Sequence, residues 1–207
     1  TKKFSNFKDE INYVVVDDIP IHVKPKKRNW HENHIRDQYQ RNAIAKGYKE
    51  FGPNDWIMIS DIDEIPDPKR IKEFDIKNKY ACFLQKNFQL KINLLNSTDG
   101  YWMGTKICEK KNLKSPQWLR NIKTKKKPFW KFFSDKQPQL IENSGWHFSF
   151  LKDSKSIQNK IAIYAHQEFN NPKFNKIEHI EEKIRKREDL FDRKIKYEVI
   201  NIDETFP

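Results

Sequence analysis

Four apolar residues, Trp56-Ile57-Met58-Ile59, run directly into Ser60-Asp61-Ile62-Asp63-Glu64-Ile65-Pro66, which packs three carboxylates into four positions. Bounded by Pro53-Asn54-Asp55 before and Ser60-Asp61 after, the apolar run reads as a short buried strand. Carboxylates this close repel one another. Strand ends in α/β sheets are where ligands bind, and a divalent cation there would neutralise such a cluster. The plainer alternative is an acidic helix cap leading into Pro66.

The flanking elements agree with an α/β domain. Tyr13-Val14-Val15-Val16, closed by Asp17-Asp18-Ile19-Pro20, has the β-branched content and turn chemistry of a buried strand. From Trp30 to Phe51, Ile35, Tyr39, Ile44 and Tyr48 recur at helical spacing before Gly52-Pro53, so strand, helix, strand is the expected opening. A short helix is expected from Pro68 to Phe74, then strands over Cys82 to Leu95, Tyr101 to Cys108 and Leu140 to Phe150. Ser115-Pro116 reads as a helix start, and Lys24 to Arg28 and Lys123 to Lys127 as basic loops. Helical spacing returns with Ile157, Ile161 and Tyr164, and with Ile177, Ile180 and Ile184, before a last strand at Tyr197 to Ile202. The expected fold is a mixed sheet flanked by helices, one continuous domain over 1–207, since no repeat or Gly/Ser-rich linker divides the chain.

The 41 basic and 29 acidic residues leave a net charge of +12, which suits phosphate-bearing partners. Aromatics make up 14% of the chain, enough large apolar side chains to exclude wholesale disorder despite a mean hydropathy of -0.97. No apolar stretch approaches the about 18 residues of a membrane helix, and no secretory signal pattern is visible. Cys82 and Cys108 stand alone, which excludes a zinc ribbon and a disulfide scaffold. His31 and His34 lack a third ligand and read as surface residues.

Two enzyme classes place D-x-D at a strand end. A haloacid-dehalogenase-like phosphatase would use Asp61 as nucleophile, with Thr or Val two residues after the second Asp, where this chain has Ile65. Its further magnesium carboxylates would be Asp189 and Asp192, which the spacing places in a helix. A nucleotide-sugar transferase needs D-x-D to hold manganese or magnesium against a departing diphosphate.

Trp30 and Glu32, Gln40-Arg41-Asn42, Ile59 to Pro66, Gly145-Trp146-His147-Phe148-Ser149-Phe150, Lys160, and Ala165-His166-Gln167-Glu168 occur in that order. Together they resemble glycosyltransferase family 17, from about Phe4 to Phe191. The resemblance implies a GT-A-like, Rossmann-type mixed sheet, a UDP-sugar donor (most simply UDP-N-acetylglucosamine), a glycan hydroxyl as acceptor, Mn2+ or Mg2+, and inversion at the anomeric carbon. Family members carry an upstream segment with the first nucleotide-binding strand, so this chain is expected to lack that strand. Animal members are anchored in the Golgi; the Lys, Asn and Ile bias fits a cytoplasmic microbial or viral relative instead.

The resemblance also distributes roles. Asp63 would bind the metal, Asp61 the ribose or a metal-bound water, and His147 would complete the metal site or touch the diphosphate. An inverting transfer needs a carboxylate base for the acceptor hydroxyl. Glu168 and Glu64 are the candidates, Glu168 being preferred because Glu64 lies beside the metal. Arg41 and Arg120 could reach the diphosphate as forked donors. Trp146 could stack on a sugar, as could Trp102, for which core packing is the plainer role. The rival class is a basic nucleic-acid-binding protein or metal nuclease, suggested by Lys126-Lys127-Pro128-Phe129-Trp130-Lys131; the acidic run opposes it, because carboxylates repel a phosphate backbone.

Overall fold

The computed structural model describes residues 2–19, 32–124, 137–163, 166–204 and 206–207. The Lys24 to Arg28 loop, Trp30, His31, the stretch Lys126 to Lys131, Tyr164 and Ala165 lie outside the described residues. Eight strands join one sheet: β1 (Trp56–Ile59), β2 (Glu64–Pro66), β3 (Tyr80–Gln89), β4 (Leu94–Asn96), β5 (Tyr101–Glu109), β6 (Gln139–Ile141), β7 (Gly145–Ser149) and β8 (Tyr197–Val199). The helices are α1 (Glu32–Ala43), α2 (Pro68–Ile71), α3 (Pro116–Arg120), α4 (Ser154–Ile163) and α5 (Ile177–Lys186).

β3 is the axis of the sheet, and nine of its ten residues are buried. Lys86 pairs with both Tyr101 and Trp146, and Phe88 with both Leu95 and Phe148. A strand has two edges, so β5 and then β4 follow one edge antiparallel, while β6 and then β7 follow the other in parallel. β1 pairs with β5, β2 with β7 and β8 with β4, all antiparallel.

A register shift between Cys82 and Leu84 in β3 decides which side chains reach the functional face. Before the shift, Cys82 lies opposite Lys106; after it, Gln85 lies opposite Trp102. Such a bulge exchanges odd for even positions. Tyr80, Cys82, Gln85 and Asn87 therefore share one face of the sheet, although they do not alternate along the sequence.

Three apolar clusters hold the layers. Ile57, Ile59, Tyr80 and Cys108 pack under Leu119 of α3, and Phe74, Ala81, Phe83, Ile107 and Ile141 fill the opposite face. Leu90 and Leu94 meet Ile157 and Ile161 of α4 and Ile180 of α5. Each such fully buried side chain contributes about 1.5–3 kcal/mol, so the two helical repeats of isoleucine dock the C-terminal third onto the sheet. Short helices start at oxygen caps: Asp67 accepts from Lys69 N ahead of Pro68, and Ser115 accepts from Trp118 N ahead of Pro116.

Several expectations are corrected. Tyr13 to Val16 is not a strand; residues 11–19 carry no regular structure, and Tyr13 and Val15 point to solvent. β-branched residues form a strand only where a neighbour's edge pairs with them, and here a cavity of about 400 Å³ lined by Asn12, Val14, Ile57 and Met58 separates the segment from β1. The strand, helix, strand opening is therefore absent, and β1 runs antiparallel to its neighbour. The expected strand over Cys82 to Leu95 is two strands, β3 and β4. Leu140 to Phe150 is likewise β6 and β7, broken at Asn143 and Gly145 with φ of 48° and 136°. Asp189 and Asp192 lie beyond α5 rather than in a helix, and each is ion-paired, with Arg193 and with Lys173 and Lys183 respectively. α1, α2, α3, α4, α5 and β8 form within the expected segments, and β5 runs one residue past Cys108. No helix among the described residues is long and apolar enough to cross a membrane.

Candidate active site

The acidic run is a tight turn that ends in a strand. Glu64 N donates to Asp61 O (3.0 Å), Asp61 N donates to Glu64 Oε2 (3.1 Å), and Ser60 Oγ donates to Glu64 O (3.0 Å). β2 then pairs with β7, with Glu64 opposite His147 and Pro66 opposite Gly145. The two motifs that are most distinctive in the sequence are thus neighbouring strands. Gly145 permits their approach: a Cβ there would stand 2.2 Å from Ile65 O, at a φ of 136°.

Two of the three carboxylates are neutralised by arginine. Arg120 Nη2 donates to Glu64 Oε1 (2.5 Å) and Asp61 Oδ2 (2.9 Å), and its Nη1 donates to Gly104 O (2.8 Å). Arg41 Nη2 donates to Asp61 Oδ1 (3.0 Å), while its Nη1 donates to Gln117 Oε1 of α3 (2.6 Å). The Glu64 side chain has no exposed surface, and Trp102 Nε1 donates to its Oε1 (2.7 Å). Burial raises the Glu64 pKa above the ordinary value, and Arg120, Trp102 and the Asp61 N–H oppose that rise only in part. Lys106 supports the same corner from β5: its Nζ donates to Arg120 O and Ile122 O, which ties down the C-terminal end of α3.

Asp63 is the carboxylate left without an arginine among the described residues. Its oxygens lie 3.8 Å from His147 Nε2 and 3.6 Å from Lys160 Nζ. His147 is buried, and its Nδ1–H donates to Asn87 Oδ1 (2.9 Å), which leaves Nε2 as a lone pair facing Asp63. Trp102 stacks on the imidazole with centroids 4.2 Å apart and planes 10° from parallel. Burial lowers the His147 pKa to about 4, so the ring is neutral at pH 7.

A cavity of about 790 Å³ opens over Asp61 and Asp63, lined by α1 through His34, Asp37 and Arg41 and by Lys160 and His166, with the His34 and His166 rings meeting edge to face. These three α1 positions recur at one-turn spacing, so the helix face turned to the cavity is polar. Gln117 N donates to Asn42 Oδ1 (3.0 Å), which locks α1 to α3.

The site residues expected from sequence fall into three groups. Asp61, Asp63, Glu64, Arg41, Arg120 and His147 converge, although Glu64 is sealed beneath Arg120 and both Asp61 oxygens are held by guanidinium groups. Bound that way, Asp61 is not placed as a free nucleophile. Glu168 stands outside the cavity on an exposed turn; its Oε1 meets Nδ1 of His166 (2.9 Å), and His166 lines the wall. The Glu168 pKa is nonetheless lowered: burial raises it, but its own backbone N–H and His166 outweigh that. Trp146 lies opposite Ile65, on the sheet face away from His147, and is not part of the cavity lining. Trp102 packs on His147, so it belongs to the site as a brace. Asn87, Lys106 and the wall residues His34, Asp37 and Lys160 were not legible as site residues; only the buried polar positions inside apolar strands hinted at the first two.

Among the described residues, no group of three or more His, Cys, Asp or Glu side chains is spaced to hold a metal ion. Asp63 and His147 alone could contribute donors to a cation here, an oxygen and a nitrogen. A mixed sheet flanked by helices, with a charged cavity at the end of β1, is the frame of a ligand-binding domain. The chain belongs to glycosyltransferase family 17, whose sequence model matches residues 1–198, and it is a glycosyltransferase acting on a donor and an acceptor. No curated protein and no solved structure matches it.

Proposed function

We propose that this chain is a metal-dependent, inverting transferase that moves N-acetylglucosamine from UDP to a glycan hydroxyl on a GT-A-like frame. The observation that carries the reading is the unequal treatment of the three carboxylates. Arg41 and Arg120 neutralise Asp61 and Glu64, which leaves Asp63, in the cavity lining, beside the neutral His147. Asp63 and His147 would hold Mn2+ or Mg2+. The cation would supply charge neutralisation for the departing diphosphate.

Lys160 and the exposed edge of Arg41 face the same cavity and would draw in and orient the diphosphate. Arg120 acts one layer below, holding Asp61 and Glu64 so that the turn keeps Asp63 forward. His166, backed by Glu168, lines the same cavity, where a pair of this kind would accept the proton from the attacking hydroxyl. Asn87 fixes the tautomer of His147, and Trp102 fixes its ring plane.

Thermal unfolding with UDP, with and without Mn2+, tests the reading beside Asp63→Ala. Ligand at one hundred times its dissociation constant adds about 2.7 kcal/mol, which raises the melting temperature of a chain this size by roughly 5–10 °C. The expected shift needs the metal and disappears in Asp63→Ala. A shift of equal size without metal, or one retained by the variant, refutes the assignment.

A further inference from the structure

A second cavity, of about 310 Å³, adjoins the first, and Ile62, Asp63 and Lys160 line both. Its character is different. Phe148, Phe150, Leu151 and Ile157 supply apolar walls beside Lys152 and Ser156, and Asp63 and Lys160 stand where it meets the larger cavity. Backbone pairing fixes the junction: Phe148 N donates to Asp63 O (2.8 Å), so the aromatic strand end and the metal-facing carboxylate cannot drift apart. Lys160 Nζ lies 4.9 Å from the centre of the Phe150 ring, poised between the two compartments.

Two apolar side chains at this site gain little from folding. Ile62, between the two aspartates, is fully exposed, and Leu151 is exposed. Phe148 and Phe150 are only partly buried, while their inner faces are anchored on Phe88 (5.3 Å) and Phe191 (5.8 Å). The result is a rigid aromatic wall with an apolar rim and charge at one end.

We infer that this compartment is the acceptor subsite and that it receives one pyranose ring, C–H face against Phe148 and Phe150 and hydroxyl edge toward Asp63 and Lys160. The inference rests on the transferase reading, since a transfer needs two substrates to meet at one point. The larger cavity, which holds Arg41 and Lys160, suits a nucleoside diphosphate once a bound cation offsets its aspartates. The smaller one has room for a ring but not for a nucleotide-sugar, and of its two lysines, Lys152 and Lys160, the second is already shared with Asp63. A sugar ring matches the lining because it carries apolar C–H faces and a polar rim. The hydroxyl edge then enters the larger cavity beside Asp63, where the bond to the donor sugar is made: the acceptor oxygen bonds the anomeric carbon, the bond to the diphosphate breaks, and the hydroxyl proton passes to His166.

Saturation-transfer NMR on the full chain tests this with methyl glycosides of mannose, galactose and N-acetylglucosamine as probes, irradiating the aromatic protons of the protein. UDP binding with Mg2+ is titrated separately by calorimetry. At least one glycoside is expected to take up saturation through its ring C–H protons. Leu151→Ser and Ile62→Ser, both at exposed positions, weaken that glycoside by roughly tenfold, and Leu151→Ser leaves the UDP affinity within about twofold, a change of only ~0.4 kcal/mol. If UDP binds but no glycoside takes up saturation, or Leu151→Ser binds it as wild type does, the subsite is wrong and the donor reading stands. If a glycoside binds with the expected losses but UDP does not, the subsite stands and the donor reading falls. Failure of both overturns both.

Discussion

Arg120→Met is the sharpest probe of the architecture under the site. In the native protein Arg120 faces a Glu64 side chain with no exposed surface and an Asp61 that is also held by Arg41. Methionine keeps much of the stem's volume but removes the cation, leaving Glu64 buried with only the Trp102 and Asp61 N–H donors. Breaking one side of a buried ion pair costs about 3–5 kcal/mol, which for a chain of this length lowers the melting temperature by roughly 6–20 °C. The cost has a pH signature. Burial already raises the Glu64 pKa, and loss of Arg120 raises it further above the unfolded value. A carboxyl raised on folding destabilises the protein when ionised and ceases to do so as pH falls through its folded pKa. The deficit of Arg120→Met against wild type should therefore be largest near neutral pH and shrink toward pH 5, as measured by urea unfolding across that range. The double variant Glu64→Leu, Arg120→Met should recover much of the loss, because no charge is then stranded. A deficit that does not change with pH, or a double variant worse than both singles, refutes the buried-charge explanation and points to lost packing.

Lys106→Met tests a second buried charge: burial lowers the Lys106 pKa from 10.5 to about 8, so between those values the unfolded chain binds a proton that the folded chain has lost, and stability rises with pH. That rise is about 3 kcal/mol and is absent in the variant, so urea midpoints of the two proteins should diverge in favour of wild type from pH 8 to 10.5; a constant gap contradicts it. Gly145→Ala must place its Cβ against Ile65 O at a φ that L-residues rarely adopt; the expected loss is about 2–5 kcal/mol in urea unfolding, and a stable variant would show that β2 and β7 can separate freely. Asn87→Leu leaves the His147 Nδ1–H without its acceptor; calorimetry should show Mn2+-dependent UDP binding weakened by roughly 10- to 100-fold, and wild-type affinity would remove Asn87 from the site.

Much of the chain was legible from local pattern. The isoleucine repeats of α4 and α5, the Ser-Pro start of α3, the strand at Trp56–Ile59 and the carboxylates at its end follow from periodicity, capping chemistry and charge repulsion, all short-range in sequence. The family, too, could be recognised, because Ile59 to Pro66 and Gly145 to Phe150 are contiguous motifs. Tyr13 to Val16 misled because strand propensity needs an edge to pair with, and the nearest one lies across a cavity.

Which carboxylate is left without an arginine was decided by tertiary structure alone. Asp61, Asp63 and Glu64 are alike in sequence, and their difference comes from Arg41 and Arg120, which are 20 and 56 residues removed from the carboxylates they hold. The bulge in β3 likewise sets Asn87 under His147, and no periodicity announces a register shift. Sequence determined the chemistry that collects at the end of β1, because charge and hydropathy are properties of single residues. The fold decided the role of each group, because burial and ion pairing depend on partners that only chain closure brings within a few ångströms.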